Sequence, residues 1–213
     1  MKNINGGSFL SLLNTLGQLV LISVVWVLCS LPIVTLGASC CAMYYAVVKA
    51  LRRDRGSLLP CFFSAFRDNF FQCLTVNMVY LCLFAVPAYF AIPHLANYRQ
   101  GVDSSFYLIV GFSFLLLLPL CVSYPVISRF YHRGGAFVRF LLLLLGRHPL
   151  VCFSSALLVL AGAVVVMNRP AALMFVPGIV CYVQSLMLEK IFERYSDSDG
   201  GDYGVWYDRG DGQ

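Results

Sequence analysis

The sequence predicts an all-α fold: a polytopic transmembrane bundle of about six spanning helices with two short interfacial helices. Three observations predict it. Of 213 residues, 60% are hydrophobic and 12% charged, with a mean hydropathy of +0.79, whereas soluble domains run about 25% charged and need those charges to cover an aqueous surface. The charges are also clustered, and the gaps between clusters run about 19 to 25 residues, the length of helix that crosses a hydrocarbon core of about 30 Å. Finally, threading the chain through those gaps puts 13 of the 15 Lys and Arg on one side and only Arg99 and Arg169 on the other.

Each element follows from local chemistry. Asn3 to Val48 holds no charged side chain over 46 residues, about 69 Å of helix at 1.5 Å per residue and too much for one crossing. Leu31-Pro32 divides it, because proline has no N–H to donate and disfavours helix at the residue before it, and Thr35 is placed to cap a helix from Leu36. The first two spans are therefore 9–30 and 36–53, as two full crossings or as a re-entrant pair. Segment 58–68, between Arg55-Gly56 and Asn69, is too short to cross and is assigned to the cytoplasmic interface. Spans 70–92 and 104–131 follow, then a second interfacial helix at 136–146 with Phe137, Phe140 and five consecutive leucines, and then spans 149–168 and 170–194. Residues 1–195 thus form one transmembrane domain. The remainder, 196–213, carries five aspartates and five glycines against one arginine and predicts a disordered acidic cytoplasmic tail. Asp197, Asp199 and Asp202 mimic a calcium loop, but Asp202 stands where such a loop needs glycine and no glutamate closes it.

A cleaved signal peptide does not fit the N-terminus, since the apolar run begins late and far exceeds an h-region of about 7 to 15 residues. The 13-to-2 split of basic residues is a positive-inside pattern, so both termini are expected in the cytoplasm. The formal charge of +5 then orients the chain in lipid and calls for no nucleic acid. Nine cysteines lie scattered in apolar stretches, never as CxxC, and read as small buried hydrophobes; no metal and no cofactor is expected.

The two inserts give the chain an internal parallel. Leu31-Pro32 and Leu118-Pro119 open corresponding units, and Tyr44-Tyr45 and Phe130-Tyr131 precede corresponding basic turns. A parallel-topology repeat would produce this, and so would the common character of positive-inside loops.

The run Val25 to Ser39, which contains Leu31, Pro32, Thr35 and Gly37, is followed by Tyr44-Tyr45, a basic turn ending in Gly56, and Phe62-Phe63-Ser64-Ala65-Phe66-Arg67-Asp68-Asn69-Phe70. These residues resemble the YesL family of bacterial membrane proteins, most strongly over residues 8–92, and Pro177-Gly178 with Glu189 to Tyr195 is similar to that family's C-terminal end. Leu31, Pro32, Thr35, Gly37, Tyr44, Tyr45, Gly56, Phe63 and Arg67 carry the motif, with structural roles. The resemblance implies a bacterial plasma-membrane protein of undefined activity, whose family members are often encoded beside carbohydrate-uptake genes. It supplies no catalytic residues. The family's interfacial segment is also richer in lysine than this one, where Arg67 is the only basic residue.

Chemistry is sparse. No carboxylate lies deep in a predicted span, which argues against a proton relay, and Lys49 is expected to snorkel to the cytoplasmic interface. Prolines 87, 119, 125 and 177 are expected to interrupt spans. His94, His132 and His148 form no ligand pair and neighbour no nucleophile, and no Ser-His-Asp, HExxH, P-loop or GxGxxG pattern occurs, so no catalytic residue is assigned. Asn77, Tyr80, Tyr124 and Gln184 are the neutral polar residues nearest the expected midplane, and they suit either a sugar site or helix–helix hydrogen bonding. Two functions follow: a non-enzymatic accessory or regulatory partner of a carbohydrate transporter, or a small permease with its own cavity. The first predicts a dry core and a lipid-level face rich in small residues for a partner, the second a polar cavity at mid-span. The inserts are placed like the coupling helices of type-one ABC permeases, but the permease signature is missing and the second insert is too apolar to project into water. Any coupling is therefore expected through lipid-facing sides of the spans.

Overall fold

The computed structural model describes residues 4–96, 104–130 and 134–198. Among them are eight α-helices and no strand: α1 (Ile4–Ser30), α2 (Leu36–Ala46), α3 (Leu58–Asp68), α4 (Phe70–Ala96), α5 (Ser104–Arg129), α6 (Gly135–Arg147), α7 (Pro149–Asn168) and α8 (Val176–Ser198). Helix α2 continues as a wider π-helical stretch, Val47–Arg52. Five segments are long and apolar enough to cross a membrane, namely Leu13–Ser30, Ile33–Arg52, Phe70–His94, Ser104–Arg129 and Pro149–Asn168.

The expected sixth span, 170–194, takes a different form. Pro170–Met174 is a 3-10 turn, and α8 begins only at Val176. Pro177 fixes that start, because proline is tolerated in the first turn of a helix, where its missing N–H costs nothing. Glu189 then arrives 13 residues after Val176, so the apolar part of α8 is about 20 Å long and falls short of a crossing on composition alone. Helix α8 also runs to Ser198, three residues into the expected tail; Asp199 onward, like Lys2, Arg99, Tyr131, His132 and Arg133, lies outside the described residues.

The first break falls where proline requires it. Helix α1 ends at Ser30, and Ile33–Thr35 make one 3-10 turn into α2. Thr35 occupies the N-cap position of α2, yet its hydroxyl points backward and donates to the carbonyls of Cys29 at 2.7 Å and Pro32 at 2.8 Å. It ties down the orphan carbonyls of α1 and leaves the first amides of α2 to other partners. The later prolines behave differently from expectation: α4 runs unbroken through Pro87 and Pro93, and α5 through Pro119 and Pro125. In α5 the carbonyl that Pro125 leaves without its helical donor is that of Cys121, and it accepts from Gln184 Nε2 of α8 at 2.8 Å.

Helix α2 is the hub. Two-thirds of its spanning segment (67%) is buried, against 11–22% for the other four. Small residues let neighbours approach, as is usual where lipid supplies no hydrophobic drive between helices. A methyl group at Gly37 would meet Tyr124 of α5 at 2.9 Å and the Cys73 carbonyl of α4 at 3.1 Å. On the other side of the bundle a methyl at Gly178 would stand 2.6 Å from the Leu19 carbonyl of α1. There the Gly178 N–H donates to Ser23 Oγ at 2.9 Å, and Ser23 in turn donates to Leu19 O at 2.7 Å.

Both inserts are amphipathic helices within a residue of their expected bounds, and both follow a glycine with positive φ, Gly56 at +81° and Gly134 at +58°. Helix α3 buries Leu58, Cys61, Phe62 and Ala65 against the bundle, and α6 buries Phe137, Leu141 and Leu144. The spacing of three and four residues is that of one helical face. The inserts thus cover the bundle's end, with Phe63, Leu142 and Leu143 left outward. The parallel between the halves is imperfect, since Leu31-Pro32 ends a helix while Leu118-Pro119 lies inside one.

Candidate functional site

The four midplane candidates do not form one constellation. Tyr124 of α5 donates to Asn77 Oδ1 on α4 at 3.1 Å, and Tyr80, one turn further along α4, shares a 3.1 Å hydrogen bond with Ser123. Gln184 of α8 stands apart and donates to Cys121 O at 2.8 Å and Ser155 Oγ at 2.7 Å, joining α8 to α5 and α7. Of the two uses expected for Asn77, the structure shows hydrogen bonding between elements: its amide donates to the carbonyls of Ile33 at 3.0 Å and Val34 at 3.3 Å, so it holds the 3-10 turn before α2. A turn sequence has carbonyls with no helical partner, and a buried amide across the helix gap is what satisfies them.

A cavity of about 390 Å³ does lie between α1, α2, α5, α7 and α8, at the mid-height of α5 and α7. Of the four candidates only Tyr124 and Gln184 reach it. Its walls are Trp26, Leu36, Met43, Leu117, Leu120, Val159, Val166, Val176 and Val180 with other apolar side chains, and no charged residue lines it. The polar atoms at its edge are engaged elsewhere. The Trp26 indole N–H points to Cys40 Sγ at 3.4 Å, the Tyr44 hydroxyl donates to Glu189 Oε1 at 3.2 Å, and Tyr124 and Gln184 are bonded as above.

The charged chemistry lies at the basic end of the bundle and went unseen in the sequence. Glu189, expected at a membrane boundary, is only 1% exposed, and it is paired with Arg129 at the end of α5, itself 4% exposed. Arg53 lies 3.9 Å from the same carboxylate and 2.5 Å from Glu193. Arg52 donates to the Ser185 carbonyl at 2.9 Å. The Arg129 guanidinium also sits 5.7 Å from the Phe192 ring centre and 5.9 Å from that of Phe130, a cation–π arrangement that favours charge in a dry setting. Lys49 corrects a further expectation: it is buried at 5% exposure with its ammonium 5.8 Å from the Tyr45 ring centre, so its head does not reach the surface. The π-helical turn that carries Lys49 and Arg52 aims these cations at α8 and the α2 surface.

Leu31 and Phe63 are exposed apolar side chains, Gly56 makes the positive-φ turn before α3, and Arg67 is a solvent-facing neighbour of Asp68 at 3.8 Å. His94 lies tilted against Phe106 with ring centres 6.2 Å apart, and His148 lies edge-on to Tyr195 at 6.0 Å.

Fold and sites together define a helical membrane-type protein with an apolar cavity and an ion-paired end. Residues 19–89, about a third of the chain, match the family described as "Protein of unknown function, DUF624". The matched stretch covers α2, α3, the second half of α1 and most of α4. No curated protein and no solved structure matches the chain.

Proposed function

We propose that the chain is a non-enzymatic accessory or regulatory component of a membrane assembly for carbohydrate uptake, in a bacterial plasma membrane with the basic end in the cytoplasm. The observation that carries the accessory reading is the apolar lining of the mid-span cavity. A sugar is bound by hydrogen bonds from convergent donors and acceptors, and here the hydroxyls and amides at mid-height are spent on helix contacts and turn carbonyls. A small permease with its own polar cavity is the reading this lining disfavours. The carbohydrate setting rests on the likeness of Val25 to Ser39 and Phe62 to Phe70 to the YesL family, and the non-enzymatic reading on the sequence patterns. The orientation rests on the basic residues, since Lys49, Arg52, Arg53, Arg55, Arg129, Arg139 and Arg147 lie toward one end of the helices and Arg169 toward the other.

The outward faces of α4 and α5 depart from the small-residue face expected of an accessory subunit: Tyr89, Ile92, Tyr107, Leu108 and Leu115 are exposed, so a partner on these faces would meet large side chains. The amphipathic faces of α3 and α6 are turned into the bundle, which supports coupling through the sides of the spans.

Two experiments test this reading. Purified in mild detergent with the products of its neighbouring genes, the chain is expected to co-purify with a carbohydrate permease; alone in liposomes it should move no sugar. Sugar flux from the chain alone would overturn the accessory reading. For orientation, an impermeant thiol reagent applied to intact cells should label Arg169→Cys and spare Arg55→Cys, and the reverse pattern would invert the topology.

A further inference from the structure

We propose that the mid-span cavity is a binding site for the acyl chain of a bilayer phospholipid. The volume, about 390 Å³, lies within the range of small-molecule pockets and well above the roughly 150 Å³ at which an apolar cavity already takes up a benzene-sized ligand. Its chemistry selects the ligand. The walls are hydrocarbon, with Trp26, Leu117, Val159 and Val180 among them, no charged side chain reaches it, and the indole, phenol and amide groups at its edge are already bonded within the protein. Water has no set of partners there, and a sugar, nucleotide or amino acid would bury its polar groups unpaired. An empty space of this size would forfeit the dispersion contacts of every wall residue. The cavity lies at mid-height of two helices long and apolar enough to span a bilayer. The hydrocarbon at that depth is a lipid tail, whose head stays at the interface and needs no charged partner in the pocket.

The sequence contains a reporter. Trp26 lines the cavity, and the only other tryptophan is Trp206. In detergent micelles, the Trp206→Phe protein titrated with phospholipid brominated on its acyl chain should show saturable quenching of Trp26, reaching its plateau near one lipid per chain. Filling the cavity with Ala163→Phe or Val159→Phe should abolish the saturable part while helical content and monodispersity are retained. Moving the reporter outward in the same background, with Trp26→Phe and Leu28→Trp, should give only a shallow, non-saturating response, because Leu28 is 60% exposed. This variant decides the matter should the filled ones misfold. Non-saturating quenching at Trp26 would overturn the proposal, as would saturation that persists in a folded, filled variant or that appears equally at position 28. Saturation by brominated free fatty acid but not by brominated phospholipid would overturn the assignment to a bilayer lipid.

Discussion

The basic end of the bundle and its mid-section solve the burial of polar groups in opposite ways. At the basic end, Arg129 of α5 and Glu189 of α8 are taken out of water and neutralise each other, with the half-exposed Arg53 and the Tyr44 hydroxyl also beside the Glu189 carboxylate. At mid-section nothing is charged, and neutral hydroxyls and amides are satisfied in small separate groups around an apolar space. The difference teaches where this molecule is intolerant. An ion pair that is well buried adds little over a hydrophobic pair, but losing one member strands a charge, whereas losing a neutral hydrogen bond in lipid costs far less.

Removing Glu189 is therefore the largest expected effect. Glu189→Ala should destabilise the fold by about 3–5 kcal/mol, since Arg129 would be left buried without its counter-charge, as read from reversible unfolding in mixed micelles. The comparison sharpens if Arg129→Met is combined with Glu189→Leu: most of the lost stability should return, and a double variant no better than the single would show that the carboxylate's other contacts dominate. Next comes Gly178→Ala, which forces a methyl to within 2.6 Å of the Leu19 carbonyl; overpacking of this kind costs about 1–3 kcal/mol, and an unchanged melting profile would contradict the close approach of α1 and α8. Gln184→Leu is smaller. It removes two hydrogen bonds but places hydrocarbon beside hydrocarbon, for about 1 kcal/mol or less on the scale of interhelical hydrogen bonds in membranes. A loss as large as that of Glu189→Ala would erase the distinction drawn between the two regions. Arg67→Ala closes the series, with no measurable loss expected, because its pairing with Asp68 is exposed to solvent.

The sequence revealed those parts of the fold that depend on neighbours along the chain. Charge-free windows located five spans, Leu31-Pro32 located the first turn, and short stretches bounded by basic residues and glycine located α3 and α6 to within a residue. Helix α8 was misread because an uncharged window does not reveal that Pro170 and Pro177 hold the chain in a 3-10 turn before the helix can start. The ionic centre was hidden for another reason. Arg129 and Glu189 are 60 residues apart and Tyr44 and Glu189 are 145 apart, so no local pattern links them. One signal was available: Gly178, Cys181, Ser185, Leu188, Glu189 and Phe192 recur at helical spacing, which places Glu189 on the buried stripe of α8 and away from its solvent side. Asn77 was recognised as polar and deep, but its partners are turn carbonyls, groups that every residue possesses and that composition cannot distinguish.

The π-helical stretch at the end of α2 makes that helix sensitive to chain length in a way point substitutions would miss. A π turn holds one residue more than the α turn it replaces. Deleting a single residue within Val47–Arg52 would let the stretch relax into an ordinary α-helix with the residues after it still pointing as before, whereas deleting one from the α-helical part, Leu36–Ala46, would swing everything after it about 100° around the axis. In the second case Arg52 and Arg53 would face away from Ser185, Glu189 and Glu193, although every side chain in the ionic centre was still present. Among homologues, a one-residue deletion should therefore be commoner within the π-helical stretch than in the turns before it, since the spacing carries information that the residue types alone do not.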